Sequence, residues 1–440
     1  MPALTLPTQN DPAPVVALAE ATITNAGGLA DLALIPRAPG ATASQFRVEG
    51  IAPGATRAFA QVEGRQSLTF GSVVAADGSF TLFGEIEVYP TDHTVTIQVA
   101  DAAGSVTVLD TFVGVVAGDV YGVQGQSNAV AWRTGPEIES SPFVRTYGSN
   151  VTAVDAPDEQ QWNIATVADA GSVGSWALHM AAQIVEDTGV PIAVMNQSSG
   201  GKPVEYFDRN DNDPLDLTTN YGRGLYRAEQ AGVTDHISAM FYYQGENDRA
   251  RPEQHEAGVI DLINDWREDY RTLDEIYIFQ VREGCAVGPE LSVRDAEQRI
   301  AAADARVTAI SINHVAGFDG CHFGGAGYAQ VGDETADLVI RDQMNGEIVG
   351  IDAPSAHFAR VGDTPSEIEL FFLDNEDRRR FGEDPDRVRG GLASSFVLTF
   401  DGGSSAPSNV IEASGMLTLQ FDEAVPAEAT LSNSSDGEIL

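Results

Sequence analysis

The sequence predicts an α/β protein with a central, parallel-sheet domain and a β-rich region on either side. Three textures carry that reading. Residues 1–115 hold short alternating runs between turn signals, residues 116–342 alternate apolar strand-like runs with helix-like segments, and residues 343–440 return to short β-like runs. A chain of 440 residues is also long enough for two or three domains.

In the first region, Phe46–Glu49, Arg57–Val62, Ser79–Tyr89 and Thr94–Ala100 alternate as strands do. Pro53-Gly54, Asp77-Gly78 and Gly104 separate them, the spacing of a small sandwich. The first two dozen residues are rich in Pro and Ala and read as an arm. In the centre, Val116–Val123 is an apolar strand, and Trp176–Glu186 is a helix stopped by Gly189 and Pro191. Strands then follow at Ile192–Asn196, Ile237–Tyr243, Glu275–Val281 and Val307–Asn313. Helices lie at Gly222–Gln230, Pro252–Arg267, Ser292–Ala303 and Ala326–Arg341. Such alternation builds βαβ units, hence a parallel sheet covered on both faces. In the last region Glu367–Leu373, Ser395–Phe400 and Met416–Phe421 are the strands.

Composition excludes several functions. Asp and Glu number 65 against 25 Lys and Arg, a formal net charge of −40, and Lys202 is the only lysine. Nonspecific binding to nucleic acid or to an anionic membrane needs the opposite sign. A hydrophobic fraction of 43% supports packed cores rather than a disordered acidic chain. Two cysteines make neither a disulfide scaffold nor a multi-cysteine zinc site. The sequence shows no membrane-length apolar run, and its first residues lack the basic and apolar segments of a signal peptide. An acidic, nearly lysine-free surface suits solubility at high salt and would repel polyanionic glycans at low salt.

In a parallel sheet, chemistry collects where strands end. After Val116–Val123 comes Gln124-Gly125-Gln126-Ser127-Asn128. Gln197-Ser198-Ser199-Gly200-Gly201-Lys202 follows Ile192–Asn196, and Gln244-Gly245-Glu246-Asn247-Asp248 follows Ile237–Tyr243. Asp319-Gly320-Cys321-His322 comes after Val307–Asn313. A serine hydroxyl attacks well only when a base takes its proton, which His322 can do, and Asp319 three residues earlier can orient the imidazole. Glycine N–H groups and a neutral amide can face a tetrahedral oxyanion, each donor lowering the barrier by about 2.7–4 kcal/mol. Each motif alone is an ordinary turn; the combination at four strand ends points to catalysis.

These motifs resemble the SGNH hydrolase superfamily, and in particular its carbohydrate-esterase branch of sialate O-acetylesterase-like and acetylxylan-esterase-like proteins. The likeness covers roughly residues 116–342, and the lead-in Ala117-Gly118-Asp119-Val120-Tyr121 shares it. The resemblance implies a flavodoxin-like three-layer α/β/α catalytic domain and removal of O-acetyl groups from carbohydrate through an acyl-serine. It implies Ser127 as nucleophile, His322 as base and Asp319 as its orienter. Ser127, Gly200, Gly201, Asn247 and Gln244 would serve the oxyanion. Gln126, Lys202 and Glu246 beside them are the candidate substrate contacts. The reaction calls for no metal and no organic cofactor. Ala129, Lys202 and Tyr242 depart from the branch, which commonly has methionine, a small hydroxyl residue and tryptophan there.

Weaker signals remain. Cys285 and Cys321 both belong to the predicted rim, as a disulfide pinning the catalytic loop or as two thiols. Asp208–Asp213 resembles the start of a calcium loop but lacks its glycine and closing glutamate, and so reads as a polar surface loop. Arg378-Arg379-Arg380 reads as a solvated turn, and Ser198 and Ser199 as turn residues. His93, His179, His236, His255, His314 and His357 lack metal-ligand spacing and read as structural. The alternatives to the enzyme are a glycan-binding or virion-surface module on the same fold, and a lipid esterase. The expected residence is extracellular, cell-surface or virion-associated.

Overall fold

The structure, a computed structural model, describes residues 21–148, 160–168, 171–282, 284–285, 292–344, 346, 356–372, 396–413, 416–433 and 437–438. The expected N-terminal arm lies almost wholly outside these residues, as does the Arg378–Arg380 run, and the side chain of His357 is likewise outside the description. The chain divides into two compact units. One is Met1–Asp31, Gln45–Ile86 and Thr91–Val115; the other is Leu32–Ser44, Glu87–Pro90 and Val116–Leu440.

The first unit is all β. Thr22–Asn25, Ala43–Ile51 and Ser79–Glu87 form a three-stranded sheet. Ser67–Val73, Ala55–Glu63, His93–Asp101 and the first half of Val106–Gly125 pair antiparallel in that order. Alternation decides what is buried: Phe46, Val48, Phe80, Leu82 and Ile86 from the first set, Ala58, Ala60, Val62, Val95, Ile97 and Val99 from the second.

The second unit is mixed α/β. Its main sheet runs Trp162–Ile164, Val144–Tyr147, Ile192–Asn196, the second half of Val106–Gly125, Ile237–Tyr243, Glu275–Phe279 and Val307–Ile310. The pairs are parallel except for the first, an antiparallel edge. The two strands on that edge went unpredicted because they are only three and four residues long. Helices form where their punctuation is written. The Thr219 hydroxyl caps Asn220–Ala231 by accepting the Gly222 N–H at 2.9 Å. Pro252 starts Pro252–Asp269, while Gly189 and Gly232, at φ 72° and 71°, end Ser175–Thr188 and Asn220–Ala231.

Successive strand residues face opposite sides of the sheet. On one side Phe241 stacks on Tyr277 at 5.0 Å and Tyr243 on Phe279 at 5.1 Å, while Trp176 of Ser175–Thr188 packs on Phe241 and Phe279. Gly325–Gln343 packs beside that helix, adding Tyr328, Val331 and Val339 to the same core. On the other side Tyr242 lies against Phe207 and Trp266, and the buried Gln124 amide accepts from Trp266 Nε1 and donates to Asn220 Oδ1, both at 3.0 Å. Each such aromatic pair is worth about 0.5–1.5 kcal/mol beyond its buried area. Among the described residues no helix is long and apolar enough to cross a membrane.

Toward the C-terminus, two four-stranded antiparallel sheets follow. One runs Ala356–Val361, Glu367–Phe372, Met416–Gln420 and Asn409–Ala413; the other runs Gly403–Ser405, Phe396–Phe400, Thr430–Asn433 and Gly437–Glu438. Their alternate residues Ile368, Leu370, Leu417 and Leu419, and Phe396, Leu398 and Leu431, form one core.

Candidate active site

The central strand reaches the site through Gly125. Its φ is +141°, and a Cβ there would overlap the Tyr243 carbonyl, so the position requires glycine. One helical turn, Ser127–Val130, then begins at the candidate nucleophile. The neighbouring strand ends the same way at Gly245, φ +152°, where a Cβ would crowd Val281, Val293 and Glu297.

The candidate base arrives on a tight hairpin. Phe318 and Phe323 bridge antiparallel, the Asp319 N–H donates to the His322 carbonyl at 2.9 Å, and Gly320 takes the positive φ of a two-residue turn. His322 Nε2 lies 3.0 Å from Ser127 Oγ, a hydrogen bond across 195 residues of sequence. The Asp319 carboxylate accepts the backbone N–H groups of Cys321 at 2.9 Å and His322 at 2.8 Å, and its other oxygen accepts from Arg133 at 2.5 Å. Asp319 therefore shapes the turn that carries the imidazole and acts on the ring through its charge. Those same backbone hydrogen bonds, with Arg133, hold the Asp319 pKa below the usual carboxylate range. Burial, helped by the Arg133 charge, outweighs Asp319 and lowers the His322 pKa, so the ring is neutral at pH 7 and Nε2 can accept a proton.

The hairpin is fastened from several sides. Cys285 and Cys321 are joined in a disulfide, their Cα atoms 4.6 Å apart, and the Cys285 N–H donates to the Gly320 carbonyl at 2.6 Å. The buried Arg282 guanidinium stacks on Phe318 at 4.7 Å and on Phe323 at 5.5 Å. Asn128 joins both halves of the site. Its amide donates to Glu246 Oε1 at 2.7 Å and to the Cys321 carbonyl at 3.0 Å, and its oxygen accepts from the Tyr328 hydroxyl at 2.8 Å. Neither Asn128 nor Arg133 was singled out from sequence. Asn128 belongs to the Gly125–Asn128 motif, while nothing in the sequence marks Arg133.

The expected oxyanion donors separate. Gly200 is next to Ser127: a Cβ added there would sit 3.9 Å from Ser127 Cβ. Gly201 follows with φ +66° in an exposed turn, and Asn247 is exposed. Gln244, by contrast, is fully buried, and its NH₂ group faces Asp248 at 2.7 Å, the Lys202 carbonyl at 3.2 Å and Gln126 Oε1 at 3.3 Å. That amide braces the loop rather than standing free for an oxyanion.

Two of the expected substrate contacts are likewise interior. Gln126 and Glu246 are each 4% exposed. Gln126 Oε1 accepts from the Asn247 N–H at 3.2 Å, and Glu246 accepts from Asn128. Burial lifts the Glu246 carboxyl to about 7. Behind it, His255 is wholly buried between Asp248 at 3.6 Å and Glu297 at 3.7 Å, and burial holds Glu297 well above the ordinary carboxylate range. Lys202 remains at the surface, its ammonium 4.6 Å over the Tyr206 ring. Ser198 and Ser199 are buried, and the Ser198 N–H caps onto Asn196 at 2.9 Å. In the Asp208–Asp213 segment, the Arg209 guanidinium meets Asp211, Asp265, Glu268 and Asp269 within 3.4 Å, so an arginine supplies the positive charge those carboxylates face.

A hydroxyl paired to a neutral imidazole at the carboxyl ends of parallel strands is the apparatus of a serine-type hydrolase. The chain's family narrows this. Residues 117–341 match the family model described as carbohydrate esterase, sialic acid-specific acetylesterase. That span is half of the chain, and the chain belongs to this family: it is a carbohydrate O-acetylesterase. Among solved structures, a carbohydrate acetylesterase from Xanthomonas citri is 16% identical and superposes with a TM-score of 0.63 over 95% of this chain and 96% of that one. A protein from Arabidopsis thaliana is 17% identical over 51% of this chain and 98% of that one, with a TM-score of 0.41. A family two carbohydrate esterase from Cellvibrio japonicus is 12% identical over 73% and 95%, with a TM-score of 0.30. No match was found among curated proteins.

Proposed function

We propose that Ser127 is the nucleophile of this esterase, His322 its general base and Asp319 the group that positions and polarises the base. The observation that carries the assignment is the 3.0 Å contact between Ser127 Oγ and His322 Nε2. Ser127 Oγ attacks the acetyl carbonyl while Nε2 takes its proton. The tetrahedral intermediate collapses, the imidazolium returns the proton to the departing sugar oxygen, and an acetyl-serine remains. Water, deprotonated by the same nitrogen, then releases acetate. The N–H groups of Ser127 and Gly200, with the Asn247 amide, are the proposed oxyanion donors; Gly201 is the reserve among backbone groups.

The central domain, 116–342, is proposed to be an SGNH-type three-layer fold, with 1–115 and 343–440 as flanking β domains. The substrates proposed are acetylated neutral sugars, because a net charge of −40 opposes polyanions. Extracellular or surface residence is proposed from the Cys285–Cys321 disulfide, a bond that persists in oxidising compartments. The test is acetate release from a panel of acetylated glycans by the full chain and by Ser127→Ala. The variant is expected to lose about 10⁴-fold or more in kcat while keeping its circular dichroism. Turnover within ten-fold of the parent would remove Ser127 from the role.

A further inference from the structure

The chain has four tryptophans, and three of them, Trp162, Trp176 and Trp266, are 5% exposed or less. Trp132 is 63% exposed. An aromatic side chain has much apolar area to gain by burial, so the exception asks for a reason. Its position supplies one. Trp132 comes five residues after Ser127, where the nucleophile's helical turn ends. Ala131 ends that turn in the left-handed region, φ 43° and ψ 57°, a conformation a non-glycine residue seldom takes. Ala131 is itself buried and its carbonyl accepts the Ser175 N–H and hydroxyl, so the strained backbone is fixed and the next residue emerges into solvent.

Trp132 is also tied to the catalytic hairpin. The Arg133 guanidinium lies 5.6 Å from the centre of the indole and ion-pairs with Asp319, whose backbone bonds shape the turn bearing His322. An exposed ring is thus held at the edge of the site by a side chain that also touches the base loop. Thr134 and Gly135, the next two residues, line an open cavity of about 450 Å³ whose wall mixes hydroxyls (Ser140, Ser141, Thr166) with apolar side chains such as Ile138 and Leu178.

We propose that Trp132 is a sugar platform: a pyranose ring of the acetylated oligosaccharide stacks its C–H face on the indole while its acetyl ester reaches Ser127. The electron-rich face of an indole attracts polarised C–H groups, and the flat, exposed ring matches the apolar face of a pyranose. This inference rests on the esterase reading above and adds the residue that grips the sugar rather than the ester.

The test compares the full chain with Trp132→Ala and Trp132→Phe on an acetylated neutral oligosaccharide and on p-nitrophenyl acetate, which has no sugar. For Trp132→Ala, the ratio of kcat/KM on the oligosaccharide to that on p-nitrophenyl acetate is expected to fall about ten-fold, through KM. Trp132→Phe is expected to recover most of it. Titrating the parent with the deacetylated oligosaccharide should shift tryptophan emission, and the shift should vanish in Trp132→Phe, because the other three indoles are buried. A ratio within two-fold in Trp132→Ala overturns the platform. Should the parent release no acetate from any glycan, the activity reading fails instead. The fluorescence titration then decides the platform alone: a shift lost in Trp132→Phe sustains it, and no shift overturns it.

Discussion

The two flanks of the site are held in opposite ways. The flank of the proposed nucleophile, Ser127 with the 244–248 block, is anchored in the interior: Asn128, Gln126, Gln244 and Glu246 are buried, Asn128 donating to Glu246 and Gln244 to Gln126. The flank of the proposed base, the Asp319–His322 hairpin, is half-exposed and is tied down by a disulfide, an ion pair and a stacked arginine. A desolvated hydrogen-bond network is stiff but breaks when one member is removed, because its partners are left unpaired in a medium that cannot solvate them. An exposed loop lacks that stiffness and needs covalent and ionic fastenings to hold Nε2 within reach of Oγ.

Removing the residue shared by both flanks should break the contrast. Asn128→Ala strands the Glu246 acceptor, the Cys321 carbonyl and the Tyr328 hydroxyl. It is expected to lower stability by about 2–4 kcal/mol and kcat about 100-fold, read by urea denaturation and acetate release. Ordinary stability and turnover would mean that the flanks are independent. Next in size, Cys285→Ser with Cys321→Ser should act on the base flank alone. The closed loop between residues 36 apart implies about 4 kcal/mol of lost stabilisation in the chain-entropy model, and kcat is expected to fall about ten-fold as the hairpin loosens. Unaltered kcat would show that Arg133, Arg282 and Asn128 hold the loop without the bond.

Glu246→Gln probes the buried flank by pH. The Glu246 carboxyl is raised to about 7 from 4.5, so its favourable contribution is complete below 4.5 and is lost as pH rises through 7. The variant should therefore gain up to about 3 kcal/mol relative to the parent at pH 8 and little at pH 4, measured by denaturation at both. An equal effect at both pH values would place the titration elsewhere. The smallest effect is expected from Arg133→Gln. Arg133 lowers the His322 pKa, so its loss should raise it and move the acidic limb of the kcat/KM profile to higher pH. A limb that stays put or moves to lower pH would contradict the geometry.

The strand ends of the site were legible because glycine writes them. Gly125, Gly245 and Gly320 take positive φ values that side chains disfavour, Gly200 lies against Ser127, and the candidate catalytic residues stand next to them. The central strands were legible because buried parallel strands are nearly all apolar. What was not legible is depth. Gln126, Gln244 and Glu246 are polar, and polarity in a loop reads as exposure; only the packing of Val281, Val293 and Glu297 around the 244–248 block reveals that they are interior. Arg133 escaped notice for the converse reason: its role comes from Asp319, 186 residues away, and no local pattern announces it. In the C-terminal region the short strands at Gly403–Ser405 and Thr430–Asn433 went unseen because three- and four-residue strands leave almost no period to read.

Lys202 carries the only side-chain amine of the chain, follows the Gly200-Gly201 pair and rests on Tyr206. An amine-directed dye or resin therefore meets a single side-chain target, two residues after Gly200. The native sequence already contains an attachment handle, and coupling there would report on the cleft without an engineered residue.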